Sequence, residues 1–335
     1  MSTREQAAPA AVIATLAACA LLGGLLATPR AAHAAPGDVV WGSDTVTSTS
    51  VAGCGGPSGF GSGLAVDGDT LAVGADGSCV DGAASEGAVV VFDRLGSAWS
   101  ESSVVTRPNG AAQEGFGHRV AIAAGILAVS APGADGGDGA IDVFVRLGRR
   151  FRAVASLALP DGAPRGTAAA ELGASLATAD GVTILAGAPG LTPGGAEGAG
   201  AVAVVTRDSG GDFAVTQILA APTPTAGAHF GAAVAFDGRH LAATSAGAVE
   251  IFEQRAPGDP LVHLQTLPVA GAVGVAFGGG RLAVTTTGGG TGAIRVYALA
   301  DGQFATPPTT ITPSIALTGP VGLSGVGVAA ATTGG

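Results

Sequence analysis

Three kinds of residue in this chain are of types that could do chemistry: a few histidines, a serine before an Ala-Pro turn, and a surplus of carboxylates. His118 and His229 each stand beside a Phe-Gly pair, at Phe116-Gly117 and Phe230-Gly231. An imidazole there could ligate a metal or move a proton. Neither belongs to a His-x-x-x-His pair or carries a carboxylate at ligand spacing, so both read as loop histidines. Ser130, before Ala131-Pro132, lacks the Gly-x-Ser-x-Gly elbow of a hydrolase nucleophile. The runs Gly136-Gly137 and Gly288-Gly289-Gly290 have no following Lys-Ser or Lys-Thr and read as loops, not phosphate cradles. No catalytic residue, metal ligand set or cofactor is expected.

The elements that must hold these residues repeat. Anchors recur at Phe60-Gly61, Phe116-Gly117, Leu172-Gly173, Phe230-Gly231, Val273-Gly274 and Val321-Gly322, spaced by 56, 56, 58, 43 and 48 residues. Such a period, made of strands and turns, marks a propeller or a similar array. Each unit reads as four strands. An outer strand is announced by Trp41, Trp99, Phe151, Phe213, Leu261 or Phe304, and the anchor follows it. A hairpin comes next, such as Leu64-Ala65-Val66 turning into Leu71-Ala72-Val73, and then a strand of the form Gly-Ala-Val-x-Val-Phe. Asp67-Gly68, Asp180-Gly181 and Asp237-Gly238 supply the positive φ of hairpin turns. The expected fold is all-β, a propeller of four-stranded blades over residues 39–335, with six blades or alternatively seven. The Gly-Ala-Val-x-Val-Phe strand occurs five times against six anchors, so the last blade is expected to be incomplete or the frame truncated.

That topology sorts the loops onto two rims. Loops before the inner strand and after the second strand share one end, which receives Asp76, Asp81, Glu86, Glu114, Asp135, Asp138, Asp161, Glu171 and Glu197, against Arg165 alone. The other end mixes Arg94, Arg146, Arg149, Arg150, Arg207, Arg239, Arg255 and Arg281 with acids that include Asp67, Asp69 and Asp237. Two readings follow: the acidic rim serves solubility, or it recruits a cationic partner or a shared divalent ion. With a net charge of −10 and no lysine, the chain is a poor nucleic-acid binder. Aromatic residues make up 4% of it, which gives little support to a sugar-stacking face.

Phe116-Gly117 with Ser130-Ala131-Pro132, and Leu172-Gly173 with Gly187-Ala188-Pro189, resemble FG-GAP repeats, the units of the integrin α-subunit propeller. Gly74-Ala75-Asp76 is a near match, and the later units keep the framework without Ala-Pro. The Trp-bearing outer strand and the Gly-Ala-Val-x-Val-Phe strand resemble the bacterial, exported branch. The resemblance spans roughly residues 39–335 and implies a non-catalytic binding or adhesion module whose ligands meet the anchor rim. Calcium-binding repeats of that family carry an Asp-x-Asp-x-Asp-Gly loop. Here the segment shrinks to Asp67-Gly68-Asp69 and its counterparts, too short to wrap an ion. The alternative function is a lactonase-like propeller hydrolase with a metal site built from loop carboxylates.

Residues 1–34 read as an export signal: Arg4, an apolar stretch from Ala10 to Ala27, and Ala32-His33-Ala34 as cleavage site, with 35–38 a short linker. Two alternatives stay open. The stretch could remain as an anchor, or Leu16-Ala17-Ala18-Cys19 could act as a lipobox that tethers the protein to a membrane through Cys19. The expected location is secreted, extracellular or periplasmic, or the cell surface if lipidated. Cys54 and Cys79 flank one hairpin at the same end, and in an oxidising compartment they are expected to pair; the alternative is two unpaired loop thiols. The partner is expected to be a protein or surface ligand, not nucleic acid.

Overall fold

The computed structural model describes residues 44–96, 98–287 and 292–312, together with the strand segments Ala14–Leu16, 321–324 and 327–330. The chain divides into two units, Met1–Thr47 and Ser48–Gly335. The first holds one antiparallel pair, Ala14–Leu16 with Asp44–Val46. The rest of the expected signal, with Cys19, the Ala34 cleavage site and Trp41, lies outside the described residues.

The second unit is all-β. Its only helical turns among the described residues are the 3-10 segments Ala134–Gly137 and Pro193–Gly195. Blade 1 is Phe60–Asp67, Thr70–Ala75, Ala88–Leu95 and Ala98–Val105. Blade 2 is Val120–Ala123, Ile126–Ala131, Ala140–Leu147 and Arg150–Leu157. Blade 3 is Ser175–Thr178, Thr183–Ala188, Ala201–Arg207 and Phe213–Leu219. Blade 4 is Val234–Phe236, His240–Ser245, Ala248–Glu253 and Val262–Pro268. Each is an antiparallel meander from inner to outer strand. In blade 5, after Ala272–Gly278, Arg281–Thr286 and Ala293–Ala300, the outer position is shared by Gln303–Phe304 and Thr309–Ile311. The hairpin Val321–Ser324 with Gly327–Ala330 is the sixth sheet, two-stranded among the described residues. Successive inner strands touch one another from blade 1 to this hairpin, as in a propeller.

Period-2 alternation explains why the blades stack. In blade 2, Ile141 and Val143 face blade 3 while Ala140 and Phe144 face blade 1, and both faces are buried. Neither face would be dry in an isolated blade, so stability belongs to the junctions. At those junctions the anchors act as clamps. Phe116 N–H donates to Glu86 O at 2.8 Å, Leu172 to Asp138 O at 2.9 Å and Phe230 to Ala199 O at 2.8 Å, each reaching the preceding blade. The glycine after each anchor hydrophobe then donates to its own second strand, with φ of +94°, +92° and +89° at Gly117, Gly173 and Gly231. Only glycine takes that backbone without strain. Phe116 meets Phe144 edge-on at 5.9 Å and Phe230 meets Phe252 at 6.0 Å, which accounts for the terminal Phe of the Gly-Ala-Val-x-Val-Phe strand.

Three local features differ from the sequence reading. Val273 is 43% exposed, and the buried residue at that junction is Val269, whose N–H donates to Gly247 O. Asp180 and Asp237 act through their side chains. Asp180 Oδ1 accepts from the Val182 and Thr183 amides, and Asp237 Oδ1 from those of Arg239 and His240, so these turns are longer than two residues. Finally, each outer strand of blades 1 to 4 pairs with a register shift, a repeated bulge that bends it around the disc.

Candidate binding rim

Loops after the second strand and before each inner strand share one end of the blades, and the carboxylates there fall into two groups. One group is tied to partners within the chain. Glu86 is 6% exposed beneath the loop of Gly110, and burial pushes its carboxyl up, with Glu114 and Asp81 adding to the effect. Glu114 pairs with Arg107 at 2.7 Å, and the same guanidinium reaches Asp142 at 2.9 Å. Asp142 is 1% exposed, and burial raises its pKa against the pull of Ser156 and Arg107. Burial works against the Arg107 charge too, but its hydrogen bond to Glu114 and the charge of Asp142 raise its pKa overall. Asp138 is bound by Arg165 at 2.7 Å. Glu197 accepts from the Thr167 amide and hydroxyl, which lowers its pKa.

Asp76 belongs to a smaller constellation nearer the inner strands. Its Oδ2 lies 3.0 Å from His118 Nδ1. Arg119, whose guanidinium donates to the Ser62 and His118 carbonyls, sits just behind, with its pKa lowered by burial and partly restored by Asp76. His118 lines a depression of about 360 Å³ at the junction of blades 2 and 3, together with Pro132, Gly133, Ala169 and Glu171. Asp76 holds one ring nitrogen, leaving Nε2 as the other polar atom of the imidazole. A related depression of about 230 Å³, lined by His229, Thr244 and Gly271, repeats at the junction of blades 4 and 5. His118 and His229 are thus held at separate junctions.

The second group of carboxylates is exposed: Asp81, Asp135 and Glu171 make no ion pair among the described residues. All three have left-handed backbone, with φ of +47°, +52° and +56°. Glu171 occupies the position that Gly115 takes before the anchor of blade 2. Asp161 is also exposed. No group of three or more His, Cys, Asp or Glu arranged to hold a metal occurs among the described residues.

On the same rim, Cys54 and Cys79 form a disulfide with a Cα separation of 5.6 Å. It fixes the segment entering blade 1, which also gives its Ala52 carbonyl to Cys79 N–H and its Ser58 carbonyl to Gly77 N–H. A disulfide fits an oxidising compartment. No helix among the described residues is long and apolar enough to cross a membrane.

The sequence reading passed over the polar residues at the x position of the Gly-Ala-Val-x-Val-Phe strand. Asp142 there takes Arg107, and Glu250, 6% exposed, takes His263 at 2.9 Å and Thr266 at 2.6 Å. A charge in an otherwise apolar strand was the available signal.

Comparison with known proteins places the fold and little else. No protein-family model and no curated protein matches the chain. A "putative 6-phosphogluconolactonase" from Bacteroides uniformis superposes with a TM-score of 0.52 at 13% identity, over 77% of this chain and 73% of that one. A functionally unknown protein from Desulfotomaculum acetoxidans gives a TM-score of 0.49 at 13% identity, over 76% and 71%. The fold is a β-propeller. At such identity the likeness carries architecture and no chemistry.

Proposed function

We propose that this chain is an exported, non-catalytic propeller of the FG-GAP type that binds a cationic segment of a protein or surface ligand through its anchor rim. The observation that carries this reading is the exposed set Asp81, Asp135 and Glu171, each on left-handed backbone and without an ion pair among the described residues, while neighbouring carboxylates are engaged. Exposed charges of one sign raise the encounter rate of an opposite charge and bias its orientation. Disulfide closure of the entering segment supports an exported setting. Titrating the protein against an immobilised arginine-rich peptide tests the reading. Binding should weaken in the D81N/D135N/E171Q variant and with rising salt; indifference to both overturns it.

A second reading has one observation in its favour, the Asp76–His118 pair at the edge of the 360 Å³ depression. A histidine so oriented can take a proton from water as that water attacks an ester or lactone carbonyl. Turnover of glucono-δ-lactone that is abolished in H118Q would establish it in place of the non-catalytic reading. Equal rates with and without protein would end it.

A further inference from the structure

The loop joining the outer strand of blade 3 to the anchor of blade 4 carries the run Pro222-Thr223-Pro224-Thr225. Leu219, Ala221 and Ala228 are buried at its two ends, whereas every residue from Pro222 to Gly227 is exposed. The chain bends at Pro222 and Thr223, and each proline fixes its own φ near −65°, so Thr223 stands at a bend between two rings. The backbone bonds that tie the loop down are at its C-terminal end, from Ala228 N–H to Thr225 O at 3.0 Å and from Gly227 N–H to Glu197 O at 2.8 Å. Thr225 Oγ1 donates to the Thr223 carbonyl at 3.3 Å, and Thr223 Oγ1 has no hydrogen-bond partner among the described residues. A second run of the same composition, Thr306-Pro307-Pro308-Thr309-Thr310, follows Phe304, with all of these threonines exposed.

Threonine alternating with proline on an exposed loop is the composition of O-glycosylated segments, because a transferase must lay its acceptor open without unfolding the protein. We infer that Thr223 and Thr225 are acceptors for O-linked neutral sugars, added during export from a phosphate-linked sugar donor. Threonine Oγ1 attacks the sugar C1; the C1–Oγ1 bond forms as the C1–O bond to phosphate breaks. The phosphate leaves with the bonding pair, and the hydroxyl proton passes to a base of the transferase. No redox change is involved. The inference is independent of what the rim binds. Phosphorylation of the same hydroxyls would use a nucleoside triphosphate in a reducing cytoplasm, where the Cys54–Cys79 bond is disfavoured.

Trypsin cuts after Arg207 and Arg239, which isolates both threonines in one peptide, and electron-transfer fragmentation locates what they carry. In protein purified from the cells that export it, that peptide should be heavier by one or more whole hexose units, on Thr223, Thr225 or both. The T223A/T225A variant should lose this mass while the peptide beginning at Val296 keeps its own. Circular dichroism of the variant should match the parent, since neither side chain is buried. An unmodified 208–239 peptide, a phosphate in place of the sugar, or sugar persisting in the double variant each overturns the inference.

Discussion

Gly74, in the second strand of blade 1, lies against the carbonyl oxygen of Gly117 in the anchor of blade 2, with no room between them for a β-carbon. Gly187 stands in the same relation to Gly231 two junctions further on. The obstacle in both cases is backbone, which cannot swing aside as a long side chain would. Gly74→Ala should therefore cost about 3 kcal/mol, the upper range for overpacking a close-packed contact. Gly68→Ala is the control: its φ is +56° but nothing lies within reach of a new methyl, so only the left-handed strain of about 1 kcal/mol applies. Urea denaturation of the two variants checks the order; equal costs would mean that the junctions are looser than described.

The clamp hydrophobes should dominate core energetics. Phe116 and Phe230 are fully buried, and truncation to alanine should cost about 3–5 kcal/mol each by thermal or chemical denaturation. Val273→Ala, at a nominally equivalent sequence position but 43% exposed, should cost about 0.5 kcal/mol or less. A large loss at Val273 would show that blade 5 is clamped like the others.

These two variants also mark how far the sequence could be read. Anchors at residues 116, 172 and 230 were legible because a bulky residue and a left-handed glycine recur where the chain bonds the preceding blade, and Phe60-Gly61 repeats the same residue pair and left-handed glycine. Val273-Gly274 copies the letters without the geometry, since the chain from Val269 to Gly271 already fills the junction. The hairpins were legible as short apolar runs bounded by Gly and Asp; the repeated bulges were not, because a bulge depends on strand pairing. The rim acids were legible as a set and not as individuals. What separates Glu86 and Glu114 from Asp81 is contact with the loop that carries Arg107 and Gly110: Gly110 lies over Glu86, and Arg107 pairs with Glu114 and joins Asp142 across 35 residues.

Arg107 bridges Glu114 and Asp142 and no other cation pairs with either among the described residues, so Arg107→Ala leaves two largely buried carboxylates without their shared partner. Removing one member of such a set costs about 3–5 kcal/mol. Replacing Asp142 by Asn in the Arg107→Ala background should recover part of that loss. Additive losses in the double variant would refute the coupling.

Glu86 titrates with a raised pKa because burial disfavours its charge. For a carboxylate whose folded pKa lies above the unfolded value, stability is greatest below the unfolded pKa of about 4.3 and is lost as pH rises through the folded value. Glu86→Gln removes that loss. The variant should melt above the parent at neutral pH, and the gap should close as pH falls toward the unfolded pKa. A gap that widens on acidification would reverse the assignment.

The Cys54–Cys79 bond spans 25 residues of separation, and loop-closure entropy sets its contribution at about 3 kcal/mol. Reduction should lower the melting temperature and expose the segment before Phe60 to protease first. Cleavage beginning elsewhere would mean that the segment is held by other contacts.

The most direct test of rim recognition is the dissociation constant for an immobilised arginine-rich peptide, measured by biolayer interferometry at low salt and near 0.15 M. Screening at the higher salt acts over about 8 Å and should weaken parent binding several-fold. The D81N/D135N/E171Q variant should bind roughly tenfold or more weakly at low salt, the loss of about 1.4 kcal/mol. R149Q/R150Q on the opposite rim should leave binding unchanged. Equal losses from the two variants, or parent binding that ignores salt, would contradict recognition by this rim.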